Sequence, residues 1–190
     1  MPVDTHQFLQ LAAGAIGLVA YLMLIIGLMR TNAEQSFAAF MLWAMLDLIA
    51  TITSVLGEGN YWLPLSNAIG SSIITIILIV KKQVSWSRIE TMTTVLVIIC
   101  LIVWYAAGET AGIMASSLAV VIASVPQMME TYRKPATTPV GAYLVFLMAN
   151  VLSLWAGKSW TIEERFYAGC SVFLCVVIIF LAMRKRISQS

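Results

Sequence analysis

Asp47 lies eleven residues into the apolar run 36–57, near its middle. A carboxylate at the centre of a bilayer costs about 2.5–3.5 kcal/mol on insertion scales. A carboxyl group in that position faces a cavity, pairs with a partner or holds a proton. Burial disfavours its charged form and a nearby cation would favour it, yet no Lys or Arg occupies the same depth in another apolar run. Asp47 is therefore expected to exchange a proton or to be solvated by a pore. The competing reading is a neutral acid bonded to a neighbouring helix.

Helical spacing extends this position into a face. Trp43, Asp47, Thr51 and Ser54 recur at intervals of four, four and three. Tyr143, Phe146, Asn150, Ser153 and Gly157 form a comparable stripe, and Asn67, Ser71 and Thr75 a third. Polar stripes on apolar helices point inward, and hydrogen-bonding groups beside aromatic rings suit a solute with polar and apolar faces, such as a pyranose or an amino acid. For the hydroxyls the alternative is helix-packing glue, and for the rings it is ordinary packing. Pro126 removes a backbone donor inside another apolar run and predicts a kink there. Gln127 is placed to bond the groups so freed, and the pair reads as a hinge for a gate.

Other chemistry finds no support. Cys100, Cys170 and Cys175 lie in apolar runs at spacings that fit no metal site and no disulfide framework. His6 is the only histidine and stands in the N-terminal tail. No nucleophile sits with a base and no acids cluster, so an enzyme, a metal or a cofactor is not expected. The net charge of +2 gives no reason to expect a nucleic-acid partner.

These residues need elements to hold them. Of the 190 residues, 61% are hydrophobic and only 11% charged, well short of the charged surface a water-soluble domain carries. The outer surface is thus expected to meet lipid, as an integral protein of the cell (inner) membrane. Seven runs, 8–29, 36–57, 61–81, 92–107, 111–131, 138–157 and 163–183, predict seven transmembrane helices, because a span takes about 20 apolar residues. The first run lacks a basic start and a cleavage site and reads as a retained helix. The fourth, at 16 residues, is the shortest.

With seven spans, Arg30, Lys81, Lys82, Arg88, Arg133, Lys134, Arg184, Lys185 and Arg186 share one side, and only Lys158 and Arg165 the other. The Lys/Arg-rich side faces the cytoplasm, which puts the N-terminus outside and the C-terminus in the cytoplasm. Tyr61, Trp62, Trp86, Trp104, Tyr105 and Trp160 fall near the predicted boundaries, as interfacial aromatics do.

A shift of 103 residues brings the two ends of the chain into register. Arg30 falls on Arg133, Lys81 and Lys82 on Arg184 and Lys185, and Phe40, Trp43 and Asp47 on Tyr143, Phe146 and Asn150. The expected fold is all-α, with a triple-helix repeat over 8–81, a linker helix over 92–107 and a second repeat over 111–183. An odd linker makes the two bundles parallel, an arrangement found in transporters with a site between the halves.

Several stretches resemble a known family. Val125-Pro126-Gln127, followed by Tyr132-Arg133-Lys134 and Thr137-Thr138, resembles the PQ-loop motif of the SWEET and PQ-loop transporter superfamily, and Ser153-Leu154-Trp155 resembles the Ser/Trp segment of its next helix. Ser66-Asn67-Ala68-Ile69-Gly70 resembles the family's Asn-x-x-Gly element. The resemblance implies two triple-helix bundles around a central site that carries sugars, amino acids or related solutes by alternating access. It implies substrate contact for Asn67, with Cys170 at the matching place in the second half. Met23 and Leu24 stand where the first half would repeat Pro126 and Gln127. The functional expectation is a transporter of a small polar solute, with Asp47 as candidate proton carrier and with Asp47, Asn67, Asn150, Trp43, Phe146, Trp155, Cys170, Ser71 and Thr51 at the solute. The alternative is a ligand-binding receptor or interaction protein on the same scaffold. Oligomeric state is left open.

Overall fold

The computed structural model describes residues 4–30, 35–107 and 109–187. Helices fall on the apolar runs: α1 (Thr5–Arg30), α2 (Phe37–Leu56), α3 (Trp62–Val80), α4 (Arg88–Ala107), α5 (Glu109–Ala123), α6 (Val125–Arg133), α7 (Val140–Trp155) and α8 (Ile162–Ile187), with a 3-10 turn at Pro135–Thr137. No strand occurs among the described residues. Among the described residues, five helical stretches are long and apolar enough to cross a membrane: α1, α2, α3, Thr110–Arg133 through α5 and α6, and Ile162–Arg184 in α8. Helix α7 is apolar but has 16 residues, which at 1.5 Å each reach about 24 Å.

Local chemistry sets the ends. The Ser36 hydroxyl accepts from the Ala39 amide 3.3 Å away and opens α2. At the other end of α2, Glu58 takes a positive φ of 53°, and the Gly59 amide reaches back to Ser54 O at 2.8 Å. Lys82 repeats the device after α3, with φ 55° and Gln83 N bonded to Leu78 O at 2.9 Å. The fifth apolar run is where helix and expectation part most. The chain breaks at Ser124, whose amide bonds Val121 O three residues back at 3.1 Å, and Pro126 then sits in the first turn of α6. Proline suits that turn because its missing N–H is not needed there.

Most of the helices close a ring. Neighbours run α1, α3, α2, α5, α8, α7 and back to α1, while α4 lies outside against α5. Within the ring the polar faces turn inward. On α2, Trp43, Asp47, Ala50, Thr51 and Ser54 are buried, while Met45, Leu48, Ile52 and Val55 are exposed. Polar residues inside and apolar ones outside invert the arrangement that water selects, and suit a lipid surround. The side chains of Cys100 and Trp104 lie outside the described residues.

The two ends of the ring differ in charge. One end gathers Arg30, Lys81, Lys82, Arg88, Arg133, Lys134 and Arg184; there the Lys81 ammonium bonds Leu28 O and the Arg184 guanidinium bonds Tyr132 O at 2.6 Å while covering its ring. The other end holds Lys158 and Arg165. Arg165 stacks on Trp160 and donates to the Leu154, Gly157 and Ser159 carbonyls, closing the turn between α7 and α8.

Candidate functional site

A narrow cavity of about 50 Å³ lies at mid-height inside the ring. Its polar wall comes from Asp47 on α2, Asn67 on α3, Asn150 on α7, and Tyr167 and Ser171 on α8. Trp43, Phe40, Tyr21, Tyr143 and Phe146 supply rings. Residues far apart in sequence thus meet here, because each occupies the inward face of its own helix.

The hydrogen bonds form a chain across the cavity. The Asn67 amide nitrogen donates to the Tyr167 hydroxyl at 2.8 Å, and that hydroxyl donates to Asp47 Oδ1 at 2.7 Å. The Asn150 nitrogen is held by the Phe146 carbonyl at 2.7 Å, with Cys175 Sγ 3.5 Å away. Both asparagines leave the other amide atom, Oδ1, buried and without a partner. An unpaired buried carbonyl costs about 1–3 kcal/mol. Two of them on one cavity wall are acceptors for a ligand's N–H or O–H groups. Among the described residues, no lysine, arginine or histidine lines the cavity.

Not every expected residue reaches this place. Ser71 is fully buried but shares its hydroxyl with Tyr21 Oη at 2.7 Å, which sets it behind the tyrosine rather than in the wall. The Thr51 hydroxyl donates to the Asp47 carbonyl of its own helix at 2.7 Å and does not line the cavity. Trp155 ends α7, 78% exposed, and its ring lies on the outside of the protein. Cys170 lies in an outer apolar groove with Leu118, Phe166 and Phe173, because one residue along a helix turns a side chain by about 100°. Its neighbour Ser171 takes the inward place. Gln127 does not bond the groups freed by Pro126; its Oε1 accepts from the Ser36 amide at 2.9 Å and its nitrogen meets Thr131 Oγ1 at 3.4 Å.

Tyr21, Tyr167, Ser171 and Cys175 were not foreseen. The signal available was spacing: Tyr167, Ser171 and Cys175 recur every four residues.

The helices are tied together on both sides of the cavity. At the basic end, beside the Ser36–Gln127 bond, Tyr143 Oη donates to Gln35 Oε1 at 3.0 Å. At the opposite end, Asn60 donates to Ser153 at 2.9 Å, and Gln10 to Glu164 at 3.0 Å. The break at Ser124 touches the cavity wall as well: Trp43 Nε1 donates to Ser124 Oγ at 3.0 Å and Val120 O at 3.3 Å.

Alanine at Asn67 or Asn150 removes one unpaired acceptor from the wall. Each substitution is expected to weaken the binding of a hydrogen-bonding ligand in this cavity by about two- to tenfold, the worth of one neutral hydrogen bond, while the protein stays folded. Titration of the purified variants with sugars and amino acids checks this.

No protein-family model, no curated protein and no solved structure matches this chain.

Proposed function

We propose that the protein is a membrane transporter that moves a small polar solute, a sugar, an amino acid or a related metabolite, by alternating access. The observation that carries this reading is the mid-height cavity, with a carboxyl group and two unpaired amide oxygens, walled by helices from both ends of the chain. At about 50 Å³ it is smaller than the roughly 300 Å³ at which ligand pockets begin. Admitting a solute therefore requires the halves to move apart, and the hydrogen bonds at either end are the contacts that would open in turn. Flux of labelled sugars and amino acids into proteoliposomes tests it. Saturable uptake supports the transporter, and binding without flux would favour the receptor.

The halves are residues 8–81 and 111–183, with 92–107 as the linker, seven spans in all. Pairing across the ring supports the repeat. Adding 103 to Tyr21 gives Ser124 and to Trp43 gives Phe146; Tyr21 packs edge-on to Phe146 with centroids 4.6 Å apart, and Trp43 bonds Ser124. The same positions thus meet at both interfaces between the halves. The order of neighbours round the ring is likewise unchanged when α1, α2 and α3 are exchanged for α5, α7 and α8. This geometry, with Pro126-Gln127 and the Asn67-x-x-Gly70 element, supports placement with the SWEET and PQ-loop transporters.

In this reading the basic end faces the cytoplasm. Reporter fusions at Ser190 and in the loop between Lys81 and Arg88 are expected to read cytoplasmic together. Opposite readings would remove the seven-span arrangement. Pro126 and Gln127 form the hinge and latch at that end. Pro126→Ala restores an N–H opposite the Ile122 carbonyl and favours one continuous helix. Flux is expected to fall more than binding does, because the site lies deeper than the break. Wild-type flux at normal expression would make the break a static feature.

A further inference from the structure

We infer that Tyr167 makes the hydrogen-bonding character of the Asn67 amide depend on the proton state of Asp47, so that one proton exchanges an acceptor for a donor on the cavity wall. The consequence for a solute rests on the transporter reading above, but the switch itself does not.

The chain Asn67–Tyr167–Asp47 has bonds of 2.8 and 2.7 Å. A phenol carries one proton, so it can donate to only one of its two neighbours. An ionised carboxylate only accepts, so the Tyr167 O–H donates to it. The phenol oxygen then accepts from the amide nitrogen of Asn67, and Asn67 Oδ1 is left buried and unpaired at the cavity. When Asp47 gains a proton from water on Oδ1, the oxygen that faces the phenol, its O–H donates to Tyr167. The Tyr167 proton turns to Asn67, where only Oδ1 can accept. The amide must rotate half a turn, which needs no extra space because its oxygen and nitrogen are nearly the same size. Its NH2 then faces the cavity. One proton is taken up, at Asp47, and no covalent bond other than that O–H changes.

The surroundings leave this chain as the outlet for the proton's effect. Among the described residues, the titratable groups facing Asp47 across the cavity are the phenols of Tyr21 on α1, Tyr143 on α7 and Tyr167 on α8, and the Cys175 thiol on α8; α3 and α5 contribute none to the wall, and no basic side chain lines it. The molecule also contains its own control. The Asn150 nitrogen donates to a backbone carbonyl, Phe146 O, which can only accept, so that amide is fixed whichever state Asp47 adopts.

Side-chain amide NMR in lipid nanodiscs tests the switch without a solute. The chain has four asparagines, Asn32, Asn60, Asn67 and Asn150, so asparagine-selective 15N labelling gives four NH2 pairs, with Asn67 assigned by Asn67→Ala. Infrared spectroscopy follows the Asp47 carboxylic band, assigned by its loss in Asp47→Asn. In the wild type the Asn67 pair is expected to shift with the same pH midpoint as that band, while the Asn150 pair moves less. In Tyr167→Phe the carboxylic band is expected to keep titrating while Asn67 no longer follows it. In Asp47→Asn the Asn67 pair should not titrate. An Asn67 shift that survives in Tyr167→Phe, an Asn67 pair that stays still while Asp47 titrates, or an Asp47 that never titrates would each overturn the inference. If Tyr167→Phe does not fold, the wild type against Asp47→Asn still decides, since a shift present in both excludes Asp47 as its source. A switch intact in protein that carries no solute would remove the transporter reading alone.

Discussion

Gly70→Ala is expected to destabilise the protein by about 1–3 kcal/mol or more. A Cβ at Gly70 would collide with the Tyr21 ring at Cγ, Cδ2 and Cδ1. The tyrosine ring rests on the bare backbone of α3, and it cannot swing aside freely. Its hydroxyl is bonded to Ser71 at 2.7 Å, and its edge packs on Phe146 with an interplanar angle of 79°. Either α1 and α3 part, or the ring leaves and two buried hydroxyls lose each other. Overpacking costs about 1–3 kcal/mol and a broken buried hydrogen bond a similar amount. Unfolding in mixed micelles measures the loss. In a Tyr21→Ala background the added methyl meets no ring, so its cost should nearly vanish there, and the double-mutant cycle should show the coupling. An equal cost in both backgrounds would mean that the helices absorb the methyl elsewhere. The same contact gives the Asn67-x-x-Gly70 spacing a physical content: three residues apart on one face, the glycine admits the ring and the asparagine meets the cavity.

The apolar runs were readable because lipid-spanning helices must be long and greasy, and helix ends fall within a few residues of the run ends. The position of the break in the fifth run was less so. Proline announces a disruption, but whether the chain turns at the proline or two residues before it depends on what Ser124 and Trp43 do with the loosened backbone. Asp47, Asn67 and Asn150 stood out because polar groups are rare in such runs. Tyr167 did not, since a tyrosine among apolar residues looks like any packing aromatic until its hydroxyl is seen between Asn67 and Asp47. The offset of 103 carries Asn67 onto Cys170 and misleads there. A repeat preserves the order of helices better than the rotation of each one, and α8 presents Tyr167, Ser171 and Cys175 to the cavity instead. Trp155 shows the other weakness of a motif. Its neighbour Ser153 is buried and bonded to Asn60, while the ring two residues on points out of the bundle.

On the transporter reading proposed above, with Asp47 as its proton carrier, Asp47→Asn is expected to abolish proton coupling while leaving a protein that folds and binds or passively exchanges its solute. Asparagine keeps the shape of the side chain and can still accept from Tyr167, but it cannot take up or release a proton. In the wild type a carboxyl group can be neutral while its cavity is dry and ionised once the cavity opens to water. That difference lets a proton bias which side the cavity opens to, and so lets a gradient drive a solute. The location of Asp47 suits this role: it is 2% exposed, mid-way along α2, bonded to one phenol and faced by no cation in the wall. Its counterpart at the 103-residue offset, Asn150, is an uncharged amide on the same cavity wall, its nitrogen held by a backbone carbonyl. Solute-dependent proton uptake in liposomes compares the two proteins. Wild type should acidify the lumen as solute accumulates, with accumulation rising with the imposed pH gradient, and Asp47→Asn should show neither. Active wild-type protein that moves no protons, or a variant that moves as many, would reduce Asp47 to a hydrogen-bonding residue like its counterpart.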